Sequence, residues 1–252
     1  MFFSYDHLKF RYEPFPIGIA KPLMEPAVYQ ELVDSYPDKE LFAYIPKLGK
    51  KYSLSERFNP KQYREFIRNS QPWKELHQWI KSDQFIIGVL DALKAQHIEL
   101  GYDPSMSQGK RLKRLLTNFS RKRSQGNSAR LKARFEFSML PADGGHILPH
   151  TDAPTKIITL IVSMLNEGEW NPAFGGGTDV NRPKRVEDYF NRINRQAQFE
   201  DMGEIIDTYE FTPNQAVIFI KTFNSWHSVR PMQGHGSSAM RKTLTINIES
   251  HL

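Results

Sequence analysis

The chain has 252 residues, 39% of them apolar and 25% charged, with a formal net charge of +6 and no cysteine. That composition can support a core of one large domain, and no apolar run reaches the ~20 residues of a membrane-crossing helix. Without cysteine there is neither a disulfide framework nor a thiolate metal site, so a metal would have to be held by nitrogen and oxygen, which suits iron, manganese or magnesium better than structural zinc.

The N-terminal stretch Met1 to His7 turns polar too soon for a secretory signal, which points to the cytoplasm. Phe15 to Ala20 reads as a short strand. Tyr29, Leu32, Val33 and Tyr36 are spaced as one face of a helix over Met24–Tyr36, which Pro37 ends. Residues 38–59 are mixed and lysine-bearing and read as a loop. Pro60 opens a helix through Ile67. Trp73–Ile80 and Phe85–Leu100 repeat apolar residues at helical spacing, with Gly101 as the expected cap of the second.

Between Pro104 and Phe135 there are ten basic residues and no acid (Lys110, Arg111, Lys113, Arg114, Arg121, Lys122, Arg123, Arg130, Lys132 and Arg134), so the rest of the chain carries a net −4. Such a block either keeps a helix and loop solvated or meets an anionic partner, nucleic acid included. Leu112, Leu115 and Leu116 could anchor a helical turn within it, and Ser124–Ser128 reads as a flexible break.

From Leu131 the texture changes. Residues 131–141, 156–166, 204–211, 215–222, 226–231 and 241–250 are rich in Ile, Val, Phe and Thr and read as strands. Gly175-Gly176-Gly177 lacks the Lys-Ser/Thr of a phosphate loop and reads as a bend before another short strand. Residues 181–203 form a polar insertion suited to a lid. Helices followed by many strands predict a mainly β protein with helical support (α+β), in which an N-terminal helical layer covers a β-sandwich or jelly roll. The expected division is 1–130 helical and 131–252 core, together one structural domain.

The chemistry concentrates in His150-Thr151-Asp152, the end of a stretch from His146 that reads as a loop entering the strand Ile157–Val162. In extended backbone, residues two apart point the same way, so His150 and Asp152 can grip one cation from one side. His227 lies 75 residues beyond Asp152, after another strand, and is the candidate third ligand. Two imidazoles and one carboxylate leave three positions open on an octahedral ion, the arrangement of non-haem Fe(II) oxygenases. Arg241 follows 14 residues later at the head of the last strand, which alternates: Arg241, Thr243, Thr245, Asn247 and Glu249 share one face, and Leu244, Ile246 and Ile248 the other.

His150-x-Asp152, a distant His227 within Ser225-Trp226-His227-Ser228-Val229, and Arg241-x-Thr243 resemble the Fe(II)/2-oxoglutarate-dependent dioxygenase superfamily, and its prolyl-hydroxylase-like branch most. The resemblance covers about residues 131–252. It implies a double-stranded β-helix, with His150, Asp152 and His227 holding iron. It also implies Arg241 and Thr243 at the far carboxylate of 2-oxoglutarate, with O2 consumed and succinate and CO2 released as a substrate carbon is hydroxylated. Halogenating relatives replace the carboxylate by a small residue, so Asp152 favours hydroxylation. Prolyl hydroxylases carry a tyrosine three residues before the first ligand, where this chain has Ile147, which puts prolyl specificity in doubt. Arg134, Ser138, Tyr209 and Asn247 are the candidates to replace that hydroxyl.

Among the other residues, His146 and His235 read as loop histidines, and Trp226 as packing beside the site. The expected substrate is a small molecule or a peptide, anionic if the basic block takes part. Its pocket is walled by residues 38–60 and 181–203. Two readings compete with the oxygenase: a jelly-roll binding module without catalysis, and a nucleic-acid-directed oxygenase using residues 110–134.

Overall fold

A computed structural model describes residues 1–102, 130–189, 193 and 195–251. Most of the basic block, its expected helical turn and break, and Phe190 of the insertion lie outside the described residues.

The N-terminal third holds strands β1 (Lys9–Arg11), β2 (Ile17–Ala20), β3 (Ala43–Ile45) and β4 (Lys51–Leu54) and helices α1 (Pro26–Asp34), α2 (Pro60–Asn69), α3 (Gln71–Ile80) and α4 (Asp83–Ala95). Then follow β5 (Arg130–Pro141), β6 (Ile147–Thr151), β7 (Lys156–Ser163), β8 (Thr178–Pro183), β9 (Arg195–Gln196), β10 (Met202–Tyr209), β11 (Ala216–Ile220), β12 (His227–Val229) and β13 (Met240–His251).

These strands make two antiparallel sheets. The larger runs β1-β2-β11-β7-β13-β5-β4-β3 and the smaller β10-β8-β12-β6-β9. From β5 onward the chain crosses between the sheets at almost every connection, and β8 and β10 pair within the smaller one. Two facing antiparallel sheets fed alternately by one chain are a jelly roll, as expected.

The larger sheet is buried on both faces, for two different reasons. Phe135, Phe137, Met139, Ile158, Leu160, Val162, Leu244, Ile246 and Ile248 turn toward the helices. They meet Tyr63, Trp73, Leu76, Phe85 and Val89, with Trp73 and Phe137 edge-to-face at 4.6 Å. The residues between them in sequence face the smaller sheet and include Glu136, Ser138, Thr159, Arg241, Thr243 and Asn247, all buried. The period of two thus splits one strand set into an apolar back and a polar front. Two small apolar clusters, around Phe15, Val180 and Phe219 and around Leu140, Trp170 and Phe211, fill the space between the sheets beside this polar front.

Three sequence expectations change. Residues 38–59 are not a plain loop: β3 and β4 pair as a hairpin that adds two strands to the edge of the larger sheet at β5. Its turn closes through Pro46–Leu48 and Gly49, whose φ is +71°. A Cβ on Gly49 would run into the His146 carbonyl, and the His146 N–H donates to the Gly49 carbonyl at 3.1 Å, so only glycine lets the hairpin dock there. Helix α4 ends at Ala95 rather than near Gly101. His97 takes the left-handed position at φ +57°, and the N–H groups of His97 and Ile98 donate back to Lys94 and Leu93. This closure buries Ile98 beside Leu93, a gain that outweighs the cost of a non-glycine residue there. The expected insertion at 181–203 is also narrower, because β8 runs through Pro183 and β10 begins at Met202.

Candidate metal centre and cosubstrate chamber

The stretch expected as a loop is strand β6; His150 is its fourth residue, and His227 opens β12 directly opposite it in the ladder. That register sets their rings 4.2 Å apart, centroid to centroid. Asp152 follows the end of β6 and turns to the same side. Thr151 between them turns away, and its hydroxyl donates to the Ile193 carbonyl at 3.2 Å. One ligand atom from each of His150, Asp152 and His227 comes within 4.8 Å of the others, so the three can share one ion.

The backbone sets the tautomers. Nδ1 of His150 lies 2.9 Å from the Leu148 carbonyl, and Nδ1 of His227 lies 2.9 Å from the Ser225 carbonyl. A carbonyl only accepts, so each Nδ1 donates its hydrogen, and each Nε2 of a neutral ring keeps its lone pair for a metal. Burial lowers the pKa of both rings against the opposing pull of Asp152, that of His227 to about 3. Both are therefore uncharged at neutral pH. Burial alone would raise the pKa of Asp152, but the Lys156 ammonium, helped by the two imidazoles, holds it well below the usual carboxylate range.

Asp152 is oriented by residues that sequence reasoning missed. Lys156 Nζ sits 2.6 Å from its Oδ1. The Thr159 hydroxyl lies 3.0 Å from Oδ2 and 3.2 Å from Asn247 Oδ1. One hydroxyl hydrogen serves one acceptor at a time, and the charged carboxylate is the stronger. Thr159 did leave a signal, as the polar member of an inward face within an apolar strand.

The three residues open onto a chamber of about 130 Å³. Arg241 lines it and is buried at 5% exposure. Its Nε donates to the Gly176 carbonyl at 2.5 Å, and its guanidinium carbon stands 4.7 Å from the Phe211 ring centre. Burial lowers its pKa to about 10, opposed by Asp179, so it stays charged at neutral pH. Among the described residues its terminal nitrogens have no hydrogen-bond partner and it forms no ion pair, since Asp179, which acts on it from a distance, is paired with Arg230. Thr243 and Ser138 line the same chamber, and the Thr243 hydroxyl donates to the Ser138 carbonyl at 3.4 Å.

The glycine bend is thus more than a bend. Gly176, at φ +89°, presents the carbonyl that fixes Arg241, and a Cβ there would come within 3.4 Å of Arg241, Trp170 and Met232. Of the four candidates for the missing tyrosine hydroxyl, Ser138 lines the chamber and Asn247 stands behind Thr159. Arg134 lies too far along β5 and pairs with Glu249 at 2.9 Å, while the Tyr209 hydroxyl donates to the Ile17 carbonyl at 3.4 Å; neither lines the chamber. Ile147 does line it. Trp226 is buried and donates to the Asp188 carbonyl at 3.0 Å, and His146 and His235 lie outside the cluster.

No protein-family model matches the sequence, and no curated protein matches it. Among solved structures, the chain is similar to a prolyl-4-hydroxylase of Pseudomonas putida, at 11% identity and a TM-score of 0.49 over 93% of this chain and 92% of that one. It is similar to a Trichoplax adhaerens prolyl hydroxylase in complex with a hypoxia inducible factor peptide fragment, at 10% identity and a TM-score of 0.46, over 92% and 83%. It is also similar to a non-heme α-ketoglutarate-dependent epimerase from nogalamycin biosynthesis, at 10% identity and a TM-score of 0.48, over 92% and 78%. At such identities no residue role passes from these proteins to this chain.

Proposed function

We propose that the chain is an Fe(II)- and 2-oxoglutarate-dependent oxygenase that hydroxylates a carbon of a small molecule or peptide side chain. One observation carries the reading: two uncharged imidazole nitrogens and an ionised carboxylate converge at a chamber that also holds a buried guanidinium forming no ion pair among the described residues.

The donor set fits ferrous iron, for two nitrogens and one oxygen on one face leave three positions for cosubstrate and O2. His150, Asp152 and His227 would hold it. Iron would supply the coupling of O2 reduction to decarboxylation of 2-oxoglutarate, giving succinate, CO2 and a hydroxylated substrate. The chain's own residues do the rest. The carbonyls of Leu148 and Ser225 hold the imidazole tautomers, and Lys156 and Thr159 hold the carboxylate. The free terminal nitrogens of Arg241 suit two parallel hydrogen bonds to a carboxylate, with Thr243 and Ser138 beside it. Phe211, Trp170 and Met232 close the space around Arg241 with apolar surface, which strengthens a charge pair formed there.

Calorimetry of the full-length protein without O2 tests this. Mn(II), a redox-quiet stand-in, should bind one per chain, and 2-oxoglutarate should then bind one per chain. With Fe(II) and O2, 2-oxoglutarate should be converted to succinate. Absence of metal binding, or metal binding unchanged by His227→Ala, would end the proposal.

A further inference from the structure

The chamber is not closed. A second cavity of about 200 Å³ shares Lys51, Ile147 and His150 with it and extends past Lys47, Leu48 and Gly49 to Gln196. The β3–β4 hairpin and β9 therefore wall the approach to the three candidate ligands.

Its charges are one-sided. Lys47, Lys51, Lys156 and Arg241 line the two cavities, and Asp152 is the sole carboxylate among the described lining residues. Lys51 is balanced from behind by Glu136 at 2.5 Å. Lys156 is balanced by Asp152, but on the oxygenase reading that carboxylate also serves a divalent cation. Lys47 is exposed on the hairpin turn and has no ion pair among the described residues. With the metal and dianionic cosubstrate in place, those two together with Asp152, Lys156 and Arg241 keep one positive charge in excess, and Lys47 adds a second. Uncompensated charge in a cleft with low-dielectric walls draws ions of the opposite sign.

We propose that the outer cavity binds the anionic group of the substrate, a small molecule bearing a carboxylate or phosphate, with Lys47 and Lys51 as the binding residues. The inference rests on the oxygenase reading and names a substrate class for it. Cosubstrate and substrate together have a space near the floor of the ~300–1,000 Å³ range of small-molecule sites; with the cosubstrate in the inner cavity, the outer one, at about 200 Å³, limits the substrate to a small molecule. Ile147 and Leu148 give the substrate's carbon frame an apolar wall next to His150. Lysine ammonium groups on flexible stems pair with a carboxylate or a phosphate alike.

The test uses the protein saturated with Mn(II) and 2-oxoglutarate in the absence of O2, so that Arg241 and the metal positions of the cosubstrate are taken. It is titrated calorimetrically with methyl phosphate, propionate and the uncharged propionamide; an anion that took the metal position left for O2 would bind the Lys47 and Lys51 variants like the parent. At least one anion should bind at one site per chain, propionamide should not, and affinity should fall as NaCl rises. Lys47→Gln should weaken binding about two- to fivefold, as for loss of one exposed ion pair. The triple change Lys47→Gln, Lys51→Gln, Glu136→Gln should abolish it; Glu136 is included because removing Lys51 alone strands a buried carboxylate. The anion that binds better identifies the source. If neither anion binds, if propionamide binds equally, or if the variants bind like the parent, the inference is overturned while the oxygenase reading stands. If Mn(II) and 2-oxoglutarate fail to bind the parent protein, both fall together.

Discussion

Strand β8 separates two hollows of very different size. Thr178 points into the inner chamber, while Asp179 and Asn181 line an outer groove of about 880 Å³ along with Glu204, Thr208 and Arg230. The groove is several times larger, yet its one buried charge, Asp179, is already satisfied. Asp179 accepts from the Thr208 hydroxyl at 2.7 Å and from Arg230 at 3.0 and 3.2 Å, and Glu204 pairs with Arg182 at 2.8 Å. The chamber, at about 130 Å³, gathers groups with bonding capacity to spare: two imidazole lone pairs and a guanidinium that forms no ion pair among the described residues. Unmet demand, rather than volume, marks the place where a ligand gains free energy by binding.

That contrast can be broken experimentally, most sharply at the metal. His227→Ala should weaken Mn(II) binding by more than about 100-fold, beyond the ~10–100-fold cost of losing an outer partner. Asp179→Ala in the groove should leave Mn(II) affinity alone and cost about 1–3 kcal/mol of stability, read by denaturant unfolding. Equal effects of the two on metal binding would erase the distinction. Next in size, Arg241→Met should raise the Kd of 2-oxoglutarate at least about 100-fold, the worth of two hydrogen bonds to a charged group, with Mn(II) affinity retained. Thr159→Val keeps the shape and removes one hydroxyl from Asp152, so Mn(II) affinity should fall about tenfold. A Thr159→Val protein that binds metal like its parent would mean that Lys156 alone orients the carboxylate.

The remaining effect is on pH dependence. His227 has a folded pKa of about 3 against an ordinary 6.5. Between those values the unfolded chain binds a proton that the folded chain does not, so stability rises with pH across that window. Apo-protein stability should accordingly fall as pH drops from about 6.5 toward 3. The melting temperature of His227→Asn should fall less steeply over the same range.

Much of this was legible where strand periodicity acts. His150 and Asp152 stand two apart, and β13 alternates without a break, so the facing of Arg241 and Thr243 followed from spacing alone. The third ligand was legible only by its position after a strand; the ladder pairing that sets His227 opposite His150 is a long-range contact. What escaped lay in segments without period. The β3–β4 hairpin has strands of three and four residues broken by Pro46 and Gly49, too short for alternation to register, so Lys47 and Lys51 were hidden in an apparent loop. Gly176 escaped because its part is played by a carbonyl, which every residue has. The end of α4 escaped because burial of Ile98 decided it, whereas local preference pointed to the nearest glycine.

The opposed pairing of His150 and His227 across β6 and β12 makes this protein unevenly tolerant of changes in length. A residue added at the exposed turn Glu167–Gly168 lies outside the strands and can be absorbed by a longer turn. One added between Ile147 and His150 would slip the register by a single place and swing an imidazole to the opposite side of the sheet. Indel scanning should show survival at the Glu167–Gly168 turn and inactivity across the one short strand β6.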